Sequence, residues 1–307
     1  MTINWQGVDR IAVIGECMLE LSAAGDNGLK QLAYGGDTLN TSMYMAKAGC
    51  KVDYVSALGD DPHSAMMIDA WQRAGINCQL VVRKPGRLPG LYMIETDQHG
   101  ERSFYYWRDQ APARELFDNA DEADGLFAAL LNFPLLYLSG VTLSLYSATA
   151  LKRLLSFLSR YRAAGGLVAF DSNFRPQRWP DLNDAQQIFC DVYRQTDIAL
   201  PTLDDEQLLF SVVNSEQLAA QLAAFGVSEI VIKRGAKGCD CYTDDEHCWQ
   251  PAISVANIVD TTGAGDSFNA GYLSARMQGL SVAQAAQRGH HYASQVVGQC
   301  GAIVDID

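Results

Sequence analysis

The sequence predicts a three-layer, doubly wound, mainly parallel α/β fold that carries a small β-sheet lid. Three observations predict it. Short apolar runs, several of them β-branched, recur at residues 11–14, 54–58, 135–138, 167–170, 198–200 and 230–232, and most end at Gly, Asp or Pro. Helical patterns lie between them, and such alternation places helices on both faces of a parallel sheet. Two segments, approximately residues 16–34 and 88–108, instead alternate with period 2 between aromatic and polar residues.

The first apolar run ends at Ile14-Gly15-Glu16, and the first period-2 segment follows at once. The second run ends at Leu58-Gly59-Asp60-Asp61. Asp61-Pro62 then supplies an N-cap followed by proline in the first helical position, and the helix stops at Gly75. In the second period-2 segment, Leu91–Thr96 and Arg102–Trp107 flank Gln98-His99-Gly100-Glu101, which predicts a hairpin. A further helix covers 150–164 and stops at Gly165-Gly166. The run 230–232 leads into the cationic, glycine-rich turn 233–238, and a last helical pattern covers 267–278. The chain shows no internal repeat, so residues 1–307 are expected to form one domain with the lid segments inserted in its core.

With 307 residues, 48% of them hydrophobic, the chain can bury a large core. It has no run of about 18 apolar residues and no basic stretch leading into an apolar one at the start, so neither a membrane partner nor secretion is expected, and the expected place is the cytoplasm. A net charge of -13 argues against nucleic acid as a partner and makes each placed cation informative. Of the eight cysteines, most stand singly in apolar settings and read as reduced core residues. Cys239, Cys241 and Cys248, with His247, lack a zinc spacing and fit two short strands of a hairpin.

The stretch Val259-Asp260-Thr261-Thr262-Gly263-Ala264-Gly265-Asp266-Ser267-Phe268 carries the chemistry. A strand runs through a glycine turn into a helix, where free backbone N–H groups and the helix dipole favour an anion. Gly263, Ala264 and Gly265 form the candidate anion hole, and Asp266 beside it is the candidate base for an attacking hydroxyl. Taken alone, such a stretch would be a glycine turn with a helix-favouring acid. GxxxxGK[ST] is absent, and no dinucleotide fingerprint follows the first strand.

Residues 260–266 resemble the C-terminal signature of the ribokinase-like (pfkB-type) sugar kinases. Tyr34-Gly35-Gly36-Asp37-Thr38-Leu39-Asn40 is similar to that family's sugar-binding turn, and the motifs occur in family order along nearly the whole chain. Arg87-Leu88-Pro89-Gly90-Leu91-Tyr92, Phe104-Tyr105-Tyr106-Trp107-Arg108, and Asp171-Ser172-Asn173-Phe174-Arg175 with Trp179 resemble the branch that phosphorylates 2-keto-3-deoxygluconate. The resemblance implies an ATP- and Mg²⁺-dependent kinase of a small sugar acid, with a monovalent cation as an additional candidate ligand. It implies a substrate site of Gly35, Gly36, Asp37, Thr38, Asn40, Tyr92, Tyr106, Arg108, Arg175 and Asp266. It further implies ATP contacts from Asn173, Arg175, Lys233, Arg234, Gly235, Gly238, Gly263, Ala264 and Gly265, an indirect metal role for Glu206, and a homodimer through the lid. Leu203 stands where the family often has Asn, so only Glu206 of that element carries over.

Physical chemistry points the same way, because a carboxylate substrate needs guanidinium donors and a neutral sugar does not. The alternatives are a fructokinase- or ribokinase-type enzyme and a non-catalytic sugar sensor on the same fold. The early glycine fingerprint that a nucleotide-dependent oxidoreductase needs is missing.

Overall fold

A computed structural model describes residues 3–25, 28–96 and 102–307. The expected turn at residues 98–101 lies outside the described residues. In chain order the strands are β1 (Arg10–Ile14), β2 (Met18–Ala23), β3 (Lys30–Gly35), β4 (Lys51–Gly59), β5 (Ile76–Asn77), β6 (Val81–Lys84), β7 (Leu91–Thr96), β8 (Arg102–Trp107), β9 (Leu135–Ser139), β10 (Leu167–Asp171), β11 (Ile198–Ala199), β12 (Glu229–Lys233), β13 (Cys239–Thr243) and β14 (His247–Gln250). The helices are α1 (Asp37–Lys47), α2 (Pro62–Arg73), α3 (Ala120–Leu130), α4 (Gly140–Leu143), α5 (Ala148–Ala163), α6 (Leu182–Tyr193), α7 (Leu203–Phe210), α8 (Ser215–Ala224), α9 (Ala264–Met277) and α10 (Val282–Val296).

The large sheet runs β14-β13-β12-β11-β10-β9-β1-β4-β5, with β6 also paired to β4. Pairing is parallel from β12 to β5 and antiparallel at β13 and β14. Parallel strands are buried on both faces, which is why they read as continuous apolar runs. Alternate side chains feed two cores. Ala12, Ile14, Leu136, Leu138, Val168 and Phe170 pack against α3, α5, α6 and α8, whereas Ile11, Val13, Leu135, Tyr137 and Ala169 pack against α1, α2, α9 and α10.

The helix ends follow the sequence signals. Asp61 caps α2 by accepting from the N–H groups of His63 and Ser64. Ser147 caps α5, which ends before Gly165. The expected start of α9 is corrected: the helix begins at Ala264, three residues before the apolar pattern, because the small residues of its first turn carry no periodicity.

The second sheet has the order β3-β2-β7-β8. One face of this lid leaves Phe104 and Tyr106 exposed, and the other leaves Leu32, Tyr105 and Trp107 exposed. Cys239, Cys241 and Cys248 lie in the β13–β14 hairpin, where Cys241 and Cys248 are cross-strand partners. Among the described residues no helix is long and apolar enough to cross a membrane.

Candidate active site

The candidate site lies at the carboxyl ends of the parallel strands, where open α/β sheets bind ligands. Gly263 introduces α9 with φ +77, a left-handed conformation that favours glycine. A Cβ there would also lie 2.7 Å from the Ala302 carbonyl oxygen. Asp260 holds the loop by accepting from Thr262 N–H (3.0 Å) and Gly301 N–H (2.8 Å). Ala264, expected in the anion hole, closes the turn by donating its N–H to the Thr261 carbonyl at 3.2 Å. Among the described residues, the N–H groups of Gly263, Gly265 and Asp266 are the ones left to bind an anion.

Asp266 sits in the first turn of α9 and is 9% exposed. The Asn40 side chain donates to its Oδ2 at 2.8 Å, and Thr41 Oγ1 donates to its carbonyl at 3.2 Å. Both partners belong to α1, which starts directly after Gly36. Gly36 permits this approach, because a Cβ there would meet the Glu16 carbonyl oxygen at 2.2 Å. Burial pushes the Asp266 carboxyl up to about 7, and the nearby Asp37 and Asp171 carboxylates push the same way, while Asn40 and Lys233 pull it down.

A base with this pKa gives a testable pH profile. We expect kcat/KM to fall about tenfold per pH unit below about pH 7, as Asp266 takes a proton. Removing the Asp37 charge removes one cause of the raised pKa, so Asp37→Asn should move the acid limb to lower pH whatever it does to the maximal rate. A limb that stays in place in the variant's pH–rate profile would show that another group titrates there.

Asn173 Nδ2 donates to Asp37 Oδ2 at 2.8 Å, and Asn173 itself has φ 33, a backbone state tolerated by asparagine. Lys233, expected among the ATP contacts, already has partners. It is the last residue of β12, it is buried, and its Nζ is held by Asp171 Oδ2 (3.1 Å) and Asn269 Oδ1 (3.0 Å). Arg234 pairs with Asp240 at 2.7 Å. Gly235 and Gly238 bound the turn between β12 and β13, and Arg234 N–H donates to the Gly238 carbonyl.

Thr38, expected in the substrate site, is fully buried beneath Gly15, with its hydroxyl 3.1 Å from the Tyr54 hydroxyl. Gly35 ends β3 beside the Tyr92 hydroxyl, which donates to Glu20. The Tyr106 ring lies 6.0 Å from that of Tyr92, tilted by 34°, and is half exposed. Arg108, expected in the substrate site, lies just past β8 at the base of the lid, 6% exposed and ion-paired with the equally buried Glu16. Arg175 is exposed and pairs with Asp205 at 3.2 Å.

Glu206 is fully buried in α7, its carboxylate accepting from the Tyr193 hydroxyl, and burial pushes it up to about 7. Its Oε2 has no hydrogen-bond partner among the described residues. A cleft of about 470 Å³ lined by Leu203, Asp204, Gln207, Arg234, Lys237 and Asp240 shares Arg234 with the nucleotide turn but no residue with the surroundings of Asp266.

Sequence reasoning missed Asn269, Asp171 as a partner of Lys233, and the partner of Arg108. Asn269 follows Asp266 by three residues on one helix face, and that spacing was the available signal. Its Nδ2 donates to Asp171 Oδ2 at 2.7 Å and to the Tyr137 hydroxyl at 3.1 Å.

The profile of the pfkB family of carbohydrate kinases matches residues 8–307. A 2-dehydro-3-deoxygluconokinase of Escherichia coli K12 is 45% identical over 302 residues, covering 96% of this chain and 97% of the relative. One from Dickeya dadantii is 43% identical over 304 residues, covering 97% of each. Among solved structures, a PfkB protein from Polaromonas sp. JS666 aligns with TM-score 0.85 and 26% identity over 96% of both chains. An E. coli protein provisionally named Ribokinase II, in complex with ATP and Mg²⁺, aligns with TM-score 0.84 and 22% identity over 96% of this chain and 94% of that one.

Proposed function

This chain belongs to the pfkB family of carbohydrate kinases, and from that premise we propose that it transfers the γ-phosphoryl group of ATP to the terminal hydroxyl of 2-keto-3-deoxygluconate, giving the 6-phosphate. The carrying observation is the juxtaposition of Asp266 with the start of α9, because it sets a proton acceptor beside backbone donors for a phosphoryl group. The sugar-acid assignment rests on the full-length similarity to the two kinases above.

Asp266 accepts the hydroxyl proton while the N–H groups of Gly263, Gly265 and Asp266 meet the charge on the transferring group. Asn40 orients the Asp266 carboxylate, and the Asp37–Asn173 contact joins the sugar turn to the nucleotide side. Tyr92, Tyr106 and Arg108 line the sugar on the lid side. Arg175 can leave its exposed pair with Asp205 and reach either ligand. Magnesium supplies charge neutralisation to the phosphates, and the free Oε2 of Glu206 fits an indirect contact to it. The cytoplasm is the proposed location. The exposed aromatic face of the lid is the proposed dimer contact.

The test is a coupled kinase assay over keto-deoxy sugar acids, neutral ketoses and nucleosides. The highest kcat/KM is expected for 2-keto-3-deoxygluconate. A preference for fructose or ribose would remove the sugar-acid assignment and leave a kinase of another sugar.

A further inference from the structure

At the base of the lid, one buried carboxylate pairs with an arginine and feels the charge of two more. Glu16 and Arg108 form a buried ion pair, 4% and 6% exposed. Arg178 and Arg114 lie close enough to act on the Glu16 charge, in that order after Arg108. Arg178 is half-buried and gives its Nε to Ser144 Oγ at 2.6 Å. Neither Arg178 nor Arg114 has a carboxylate partner among the described residues. Three cations thus face one anion in a largely dehydrated place.

Such an excess of charge is costly to bury without a counterion. Burial, with Arg108 alongside, pushes the Arg178 guanidinium down to about 10. Three polar atoms in the same cluster also lack a hydrogen-bond partner among the described residues: Glu16 Oε1, Arg108 Nε and the Tyr146 hydroxyl, the last 7% exposed. Such groups call for an explanation: Arg108 Nε and the Tyr146 hydroxyl can donate to a ligand carboxylate, while Glu16 Oε1, itself an acceptor, fits a hydroxyl of the same ligand. Gly90 brings the chain against this cluster, since a Cβ there would lie 3.1 Å from Glu16 Oε1 and 3.2 Å from the Arg108 Cβ. The Glu16 carbonyl in turn supports Gly36 of the sugar turn, so the cluster adjoins the sugar side of the cleft.

We infer that Arg178 and Arg114 join Arg108 in an anion seat that receives the carboxylate of the sugar acid and sets specificity by charge, an inference that rests on the proposed sugar-acid kinase. Glu16 holds Arg108 in place and leaves the free donors of Arg178 and Arg114 for the incoming group. A carboxylate lowers the excess from two positive charges to one, whereas a neutral sugar leaves it untouched. Planar guanidinium donors suit a carboxylate better than an ammonium group does.

The test compares 2-keto-3-deoxygluconate with its uncharged C1 amide in wild type, Arg178→Gln, Arg178→Lys and Arg114→Gln. Arg178→Gln and Arg114→Gln should each lower kcat/KM for the acid by about 10- to 100-fold, mostly through KM, and for the amide by less than about threefold. Arg178→Lys should recover part of the loss. ADP binding, measured by calorimetry, should be unchanged, which separates a lost contact from a damaged fold. If Arg178→Gln fails to fold, Arg114→Gln carries the test. Equal losses on acid and amide, or none, would overturn the seat. A wild type that prefers neutral sugars would overturn the sugar-acid assignment itself, and the two failures are distinguishable.

Discussion

Asp266→Asn is expected to lower kcat by about 10²–10⁴-fold, the usual worth of a positioned acid–base group, with little change in ATP binding. Asparagine keeps the shape of the side chain and can still accept from Asn40, so the geometry around α9 survives. What is lost is a group able to take the hydroxyl proton. The same substitution should raise thermal stability at pH 8. The Asp266 carboxyl is pushed up to about 7 in the folded chain, above its ordinary value of 3.8. The folded state therefore binds more protons between those values, and stability falls as pH rises through that window. At pH 8 the buried carboxylate is charged and unfavourable, and a neutral amide relieves it. Single-turnover kinetics and a melting curve at pH 8 check the two halves. Near-normal turnover would remove Asp266 from the mechanism.

Gly265→Val should leave a folded protein with kcat/KM lowered by about 10²-fold or more, the order seen when a charge-stabilising contact is removed. The nearest heavy atom to a Cβ at this position is Lys233 Nζ at 3.8 Å, so the protein has room for the side chain. That room is the space above the free N–H groups of α9, and a valine would fill it. Gly263 gives no such clean test, because its φ of +77 and its contact with Ala302 make any side chain strained. The measurement is kcat/KM beside the melting temperature. Wild-type activity would mean that the phosphoryl group is held elsewhere. If the valine disrupts the first turn, Gly265→Ala fills less of the space, and a graded loss with an unchanged melting temperature is expected.

The layers of the fold were legible because strands buried on both faces write themselves as apolar runs, and because Asp61-Pro62 and Gly165-Gly166 mark helix ends by local chemistry. The place of Asp266 was legible for a similar reason: small residues before an acid describe a helix start. Pairings across the chain were not legible. Glu16 and Arg108 stand 92 residues apart, and Lys233 reaches Asp171 across 62. Nothing in the local sequence says that these cations are already neutralised. The turn bond of the Ala264 N–H was not legible either, because it depends on backbone angles, which residue type leaves open at small residues. His290, buried in α10, lies edge-on to Phe268 at 5.0 Å, a contact between helices that local sequence does not announce.

The hydrogen bond between Asn40 and Asp266 joins residues 226 positions apart. Closing so long a loop is entropically unfavourable before any local contact offsets it, and topologies rich in such contacts fold slowly. The base and the residue that orients it are brought together by α1 and α9, helices from the two ends of the chain. A partly folded chain can carry most of its helices and strands and still hold its carboxylate unaligned. Alignment of that carboxylate is in this sense a property of the assembled chain, which neither end holds alone.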